Sequence, residues 1–291
     1  MIEIKNLSKS YKDKKVLDGI DLAIEDGSIL GLVGINGAGK STLLRLLSGV
    51  MQADGGEILF DGENVYENVA VKSKIFFLPD DPYYTSNVTG EKLKGLYKQF
   101  FPFDDELFGK YLETFGLSPK KPIRNFSKGM KRQMFISLAI ASKPKYLFLD
   151  EAFDGLDPLA RLEFKRGIID MQQEGCSVII ASHSLRELED ICDSFALLDD
   201  KKVASYGKID TELEKVSKFQ VVFDREVAKE DFALDLIKFE KVGRVIRLVA
   251  RGDRQETLDK INNLNPVIVD EIPMDFEDLF IAEVEDRGYL K

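Results

Sequence analysis

Tryptophan is absent from these 291 residues, histidine occurs once and cysteine twice. Cys176 and Cys192 form no close CxxC pair and have no histidine cluster beside them, which excludes a disulfide scaffold and a zinc site. They read as buried, reduced thiols. The lone histidine, His183, excludes any mechanism built on a histidine pair. Long apolar runs are also missing. No stretch approaches the roughly 18–20 residues of a membrane helix, and Met1 to Tyr11 lacks the apolar core of a secretory signal. A cytosolic chain that does not itself span a membrane is therefore expected. Positive charge is in deficit, with 41 Lys and Arg against 51 Asp and Glu and a formal net charge of −10. Phosphate backbones and anionic lipid surfaces repel such a chain, so nucleic acid is not an expected partner.

What is present suits a folded α/β protein, since a 44% hydrophobic share is too high for disorder. Ile29 to Val33 is a continuous apolar run, as in a strand buried on both faces. Similar runs at Tyr146 to Leu149 and Val178 to Ala181 end in Asp150-Glu151 and Ser182-His183. Ahead of Tyr146 lies a helix-rich stretch, about 86–140, with aromatic anchors from Tyr97 to Phe115 that read as core. Strands alternating with helices predict a mostly parallel sheet whose ligands sit beyond the carboxyl ends of the strands. Short β-like runs before Phe60 predict an antiparallel edge. After residue 215 the texture changes to alternating strands and charged helical stretches, so 1–215 is expected as the main domain and 216–291 as a small α+β appendage.

Directly after the first buried run come Gly34-Ile35-Asn36-Gly37-Ala38-Gly39-Lys40-Ser41-Thr42, then leucines at helical spacing. Gly34 to Ser41 fits GxxxxGK[ST], a P-loop whose glycines let successive N–H groups converge on phosphate oxygens. Gly34, Asn36, Gly37, Ala38, Gly39, Lys40, Ser41 and Thr42 are thus candidate ATP contacts, with Lys40 facing the β and γ phosphates and Ser41 ligating Mg²⁺. Asp150 is a second Mg²⁺ candidate. Glu151 is placed as the general base for an attacking water.

These residues resemble the nucleotide-binding subunits of ABC transporters over about the first 210 positions. Phe126-Ser127-Lys128-Gly129-Met130 stands where that family carries LSGGQ, with Ser127 and Gly129 retained. The resemblance implies that Ser127 and Gly129 meet the γ-phosphate of ATP bound to an opposite subunit, in a homodimer or heterodimer around two ATP. It implies that His183 is the switch histidine acting with Glu151, and that Asp154-Gly155-Leu156-Asp157-Pro158 is the loop crossing the dimer interface. Tyr11 would stack on adenine. Where most members carry a glutamine, this chain has Asp80 in Leu78-Pro79-Asp80-Asp81, a hard oxygen donor and so a third Mg²⁺ candidate.

What the resemblance implies is an Mg²⁺-dependent ATPase that powers a separate membrane-spanning permease, peripheral at the inner face of the cell membrane. Import and export both remain open on the residues; the SKGM signature and the Pro-acid pair resemble exporter-type subunits. A soluble ABC ATPase acting on the ribosome or DNA is the alternative. Ribosome-type relatives carry two cassettes, and too few positions separate Lys40 from Ser127 for the long coiled coil of the DNA-repair type. A GTPase would need an NKxD motif, which is absent.

Overall fold

The computed structural model describes residues 1–286. The first of two compact units spans Met1–Tyr206, and the second starts at Gly207. In chain order the first contains β1 (Ile2–Tyr11), β2 (Lys14–Ile24), β3 (Ile29–Val33), α1 (Lys40–Leu47), β4 (Gly55–Phe60), β5 (Glu63–Asn64), α2 (Val69–Lys72), β6 (Ile75–Leu78) and α3 (Gly90–Tyr97). It continues through α4 (Asp105–Thr114), α5 (Lys128–Ala141), β7 (Tyr146–Asp150), α6 (Pro158–Gln173), β8 (Ser177–Ala181), α7 (Leu185–Glu189), β9 (Ser194–Asp199) and β10 (Lys202–Lys208).

Six strands form the main sheet in the order β10-β9-β3-β8-β7-β6. β3 pairs parallel with β8 and β9, and β7 with β6 and β8. The strands expected to be buried on both faces are so: every residue of β3, β7 and β8 is buried. A separate antiparallel sheet, β2-β1-β4-β5, supplies the expected edge. In β2 the apolar residues Leu17, Ile20, Leu22 and Ile24 turn inward. They join Leu43, Leu44, Leu46 and Leu47 of α1 and the parallel strands in one core. That packing pins α1, and with it the glycine loop, between the two sheets.

The insertion consists of α3, α4 and α5, each entered through a side-chain cap: Thr89, Asp104 and Ser127 accept backbone N–H groups of Lys92, Leu107 and Met130. Phe108 and Tyr111 are buried as expected, but Phe100 is exposed. Both cysteines are free and buried, matching the sequence expectation.

The second unit begins ahead of the expected break at 215/216. It contains α8 (Ile209–Glu214), β11 (Val216–Val222), β12 (Asp235–Val242), β13 (Val245–Arg251), α9 (Arg254–Asn262), β14 (Ile268–Ile272) and α10 (Phe276–Asp286). Its strands form one antiparallel sheet, β12-β13-β11-β14. The shift of the boundary has a simple cause. Helix α8 packs on β11 and buries Ile209, so it belongs with the sheet that follows it.

Candidate functional site

At the end of β3 the backbone of Gly34 takes φ 155°, and a Cβ there would stand 2.6 Å from the carbonyl oxygen of Leu198. Only glycine fits, so the loop can leave the sheet flush against β9. Gly39, in the left-handed region, caps α1. Lys40 opens that helix and is 93% buried by virtue of its 7% exposure. Its Nζ donates to the Gly34 carbonyl at 2.6 Å, folding the side chain back over the loop. Burial pushes the ammonium pKa down, against the opposing pull of Glu151 and Asp150. No carboxylate lies within ion-pair distance of it among the described residues. A buried cation with only a carbonyl partner is suited to a polyanion.

Asp150 arrives at the buried end of β7, and Ser41 Oγ donates to its Oδ1 at 3.0 Å. Burial pushes this carboxyl pKa up. A buried carboxylate beside a hydroxyl is a hard-oxygen pair, and that donor set fits Mg²⁺. Glu151, the next residue, adopts φ 49°, a left-handed backbone unusual for a side chain of this size. Its N–H donates to the Ala181 carbonyl at 2.9 Å, which fastens the turn to β8. Strain of this kind persists where the surroundings over-determine it. Oε2 of Glu151 accepts the His183 backbone N–H at 3.2 Å and lies 2.9 Å from His183 Nδ1. That contact raises the imidazole pKa. His183 Nε2 is 4.0 Å from an Asp154 carboxylate oxygen. The sequence-expected base and switch histidine therefore meet side by side.

Ser127 caps α5, its Oγ accepting the Met130 N–H at 3.2 Å. A Cβ on Gly129 would lie 2.8 Å from the Gly155 carbonyl oxygen, so the start of α5 rests on the backbone of the 154–158 loop. Gln133 Nε2 donates to Asp157 Oδ2 at 3.3 Å, and Asp157 also caps α6. Gly129→Ala is expected to force these two backbones apart and lower turnover about tenfold or more, with ATP affinity nearly unchanged. Steady-state hydrolysis and nucleotide titration of the variant check this.

One candidate has a partner that the sequence reading did not give it. Asp80 was a candidate Mg²⁺ ligand, but its carboxylate is engaged by Arg132, with Arg132 Nη2 donating to Asp80 Oδ1 at 2.8 Å. The reason is electrostatic: a buried guanidinium takes the nearest carboxylate. Asp80 is still near enough to Asp150 for its charge to help push the Asp150 pKa up. Tyr11 presents an exposed ring on the outer sheet, and its hydroxyl donates to Met51 Sδ at 3.2 Å.

Sequence reasoning missed Arg132, Arg161 and Glu187. Arg161 Nε donates to the Leu156 carbonyl at 3.1 Å, and Nη1 pairs with Glu187 at 2.8 Å. The other oxygen of Glu187 accepts Ser182 Oγ at 3.5 Å. This chain of contacts links the 154–158 loop to the residue preceding His183. An arginine shortly after a helix start and a glutamate four positions after the lone histidine were the only available signals.

The ABC transporter family profile matches residues 17–154. ABC transporter ATP-binding protein YtrB of Bacillus subtilis (strain 168) is 30% identical over 286 residues, 97% of this chain and 98% of that one. This chain belongs to the same family. The ABC protein is also 29% identical over 229 residues to lantibiotic transport ATP-binding protein SrtF of Streptococcus pyogenes, covering 77% of its own length and 99% of that relative. A solved ATP-binding subunit of an ABC transporter matches with TM-score 0.68 and 27% identity over 73% of this chain and 91% of the other. ATP-binding cassette MJ0796, solved as a dimer with ADP and phosphate, shares the fold at TM-score 0.65 and 19% identity, over 72% of this chain and 98% of its own. The ABC protein is accordingly a nucleotide-binding ATPase with a P-loop core.

Proposed function

We propose that this ABC ATPase dimerises around two ATP molecules and drives a separate membrane-spanning permease of the exporter type, to which it binds at the inner face of the cell membrane. The observation carrying this reading is the convergence of Lys40, the Ser41–Asp150 pair and the Glu151–His183 pair at the carboxyl ends of three neighbouring parallel strands. That is where a parallel sheet binds its ligand. Among the described residues no helix is long and apolar enough to cross a membrane. Transport therefore calls for a partner. Export is supported by the likeness to a protein named for lantibiotic transport.

In this reading the loop from Gly34 through Asn36, Gly37, Ala38 and Gly39 cradles the phosphates, with Thr42 at the start of α1 and Tyr11 on the adenine side. Lys40 neutralises the β and γ phosphates. Ser41 and Asp150 would hold Mg²⁺, which supplies charge neutralisation on the phosphate oxygens. Glu151 takes a proton from the attacking water. His183, held to Glu151, keeps the carboxylate and the γ-phosphate in register. Ser127 and Gly129 act across the dimer, presenting the start of α5 to the partner's ATP.

Co-expression with a candidate membrane-spanning permease tests the partner. Co-purification and permease-dependent stimulation of hydrolysis are expected, with ATP-driven efflux in reconstituted vesicles. ATPase activity stimulated by ribosomes and indifferent to the membrane protein would favour the soluble alternative.

A further inference from the structure

We propose that Arg132 is a positioning residue for ATP hydrolysis: its guanidinium clamps the Pro79–Asp80 loop to α5, and so sets Ser127 and Gly129 relative to Lys40 and Asp150 of the same subunit. Arg132 retains only 3% exposure, and a guanidinium removed from water needs compensation for its charge and its donors. Among the described residues, its hydrogen bonds go to two consecutive residues. Nη1 donates to the Pro79 carbonyl at 3.1 Å, and Nη2 donates to the Asp80 carbonyl at 2.7 Å and to Asp80 Oδ1 at 2.8 Å. A planar fork held by two main-chain oxygens and a carboxylate fixes direction as well as distance, which a lysine ammonium does not.

Both ends of the clamp attach to elements of the site. Pro79 and Asp80 directly follow β6, which runs parallel to β7 with Leu78 opposite Leu149, so the loop leaves the sheet beside Asp150. Arg132 lies in the first turns of α5, which Ser127 caps. The same turns contact the 154–158 loop through Gly129 and Gln133. The start of α5 is therefore attached at two places, to the loop after β6 and to the loop after β7. Loss of the arginine fork removes the directional part of the first attachment. Simple burial of an arginine would not require that its donors select a loop that leaves the sheet beside Asp150.

Asp80 has a consequent role. Its side chain is 56% exposed, but it supplies the negative charge that Arg132 requires. It serves the clamp and not the metal.

Three variants of the isolated full chain test this, each read by ATP affinity, kcat, KM and the Mg²⁺ concentration for half-maximal hydrolysis. The inference requires hydrolysis by the cassette but no permease, and wild-type turnover measured alongside separates failure of the clamp from failure of the ATPase assignment. Arg132→Gln is expected to lower kcat on the order of 10- to 100-fold while ATP affinity stays within about threefold, because the phosphate contacts lie elsewhere. Arg132→Lys should recover part of the loss. Asp80→Ala keeps both backbone acceptors and sits at a half-exposed position, so it provides a readout even if Arg132→Gln does not fold. It should lower kcat several-fold, about two- to fivefold, with the Mg²⁺ requirement unchanged. A raised Mg²⁺ requirement in Asp80→Ala would return Asp80 to the metal and overturn the clamp. Parallel loss of ATP affinity and turnover in Arg132→Gln would reduce Arg132 to a fold-stabilising residue. Wild-type kcat in Asp80→Ala and in every folded Arg132 variant would remove the role altogether.

Discussion

Glu151→Gln should hydrolyse ATP about 10²- to 10⁴-fold more slowly than the wild type while binding it almost equally well. The expected size rests on position. Glu151 follows the buried Asp150 through a left-handed backbone at φ 49°, and that turn is secured by its own N–H on the Ala181 carbonyl. Glutamine keeps the chain length, the turn and an oxygen able to accept the His183 backbone N–H, now held at 3.2 Å. It loses the ability to take a proton from water, together with the negative charge that faces the His183 ring at 2.9 Å. Binding is governed by Lys40 and the glycine loop, which the substitution does not touch. With hydrolysis blocked and ATP retained, the proposed dimer should accumulate, visible as an earlier elution in ATP than in ADP. Single-turnover hydrolysis at the wild-type rate would sink the assignment of Glu151 as base.

The glycine loop and the Asp150–Glu151 pair were legible because they are contiguous in sequence. A buried strand, a motif of fixed spacing and an amphipathic helix occupy one stretch from Ile29 to Leu47, and each local pattern agrees with the others. His183 was legible because it is the only histidine and ends another buried strand. The contacts that position these groups were not legible. Asp80 and Arg132 are far apart along the chain, and nothing local to either names the other as partner. Asp80 was therefore read by its chemistry alone, as an oxygen donor, when packing had given it to a guanidinium. The approach of Gly129 to Gly155 is likewise a tertiary fact, invisible until α5 and the 154–158 loop are docked. The domain boundary was displaced for a related reason. Composition changes where the alternating strand β11 begins, whereas the compact unit begins with the helix that packs on it.

Lys40 should separate binding from folding. Among the described residues its buried ammonium has only the Gly34 carbonyl as partner, and burial lowers its pKa, so the charged form is held at a cost to the protein without nucleotide. Lys40→Met retains the apolar stem and removes the charge. The variant is expected to melt at a temperature equal to or above that of the wild type in the absence of nucleotide. ATP affinity should move the opposite way. Each hydrogen bond from a cation to a phosphate contributes about 1.5–3 kcal/mol, and about 1.4 kcal/mol is a factor of ten. Losing contacts to both the β and γ phosphates should therefore weaken ATP binding roughly 10²- to 10⁴-fold. AMP, which lacks those phosphates, should bind the variant and the wild type alike. Titration with a fluorescent ATP analogue, paired with a melting curve of the nucleotide-free protein, reads both effects. Unchanged ATP affinity would falsify the P-loop role of Lys40. A large drop in melting temperature would instead make the lysine a structural residue, with its bond to the Gly34 carbonyl holding the loop in shape.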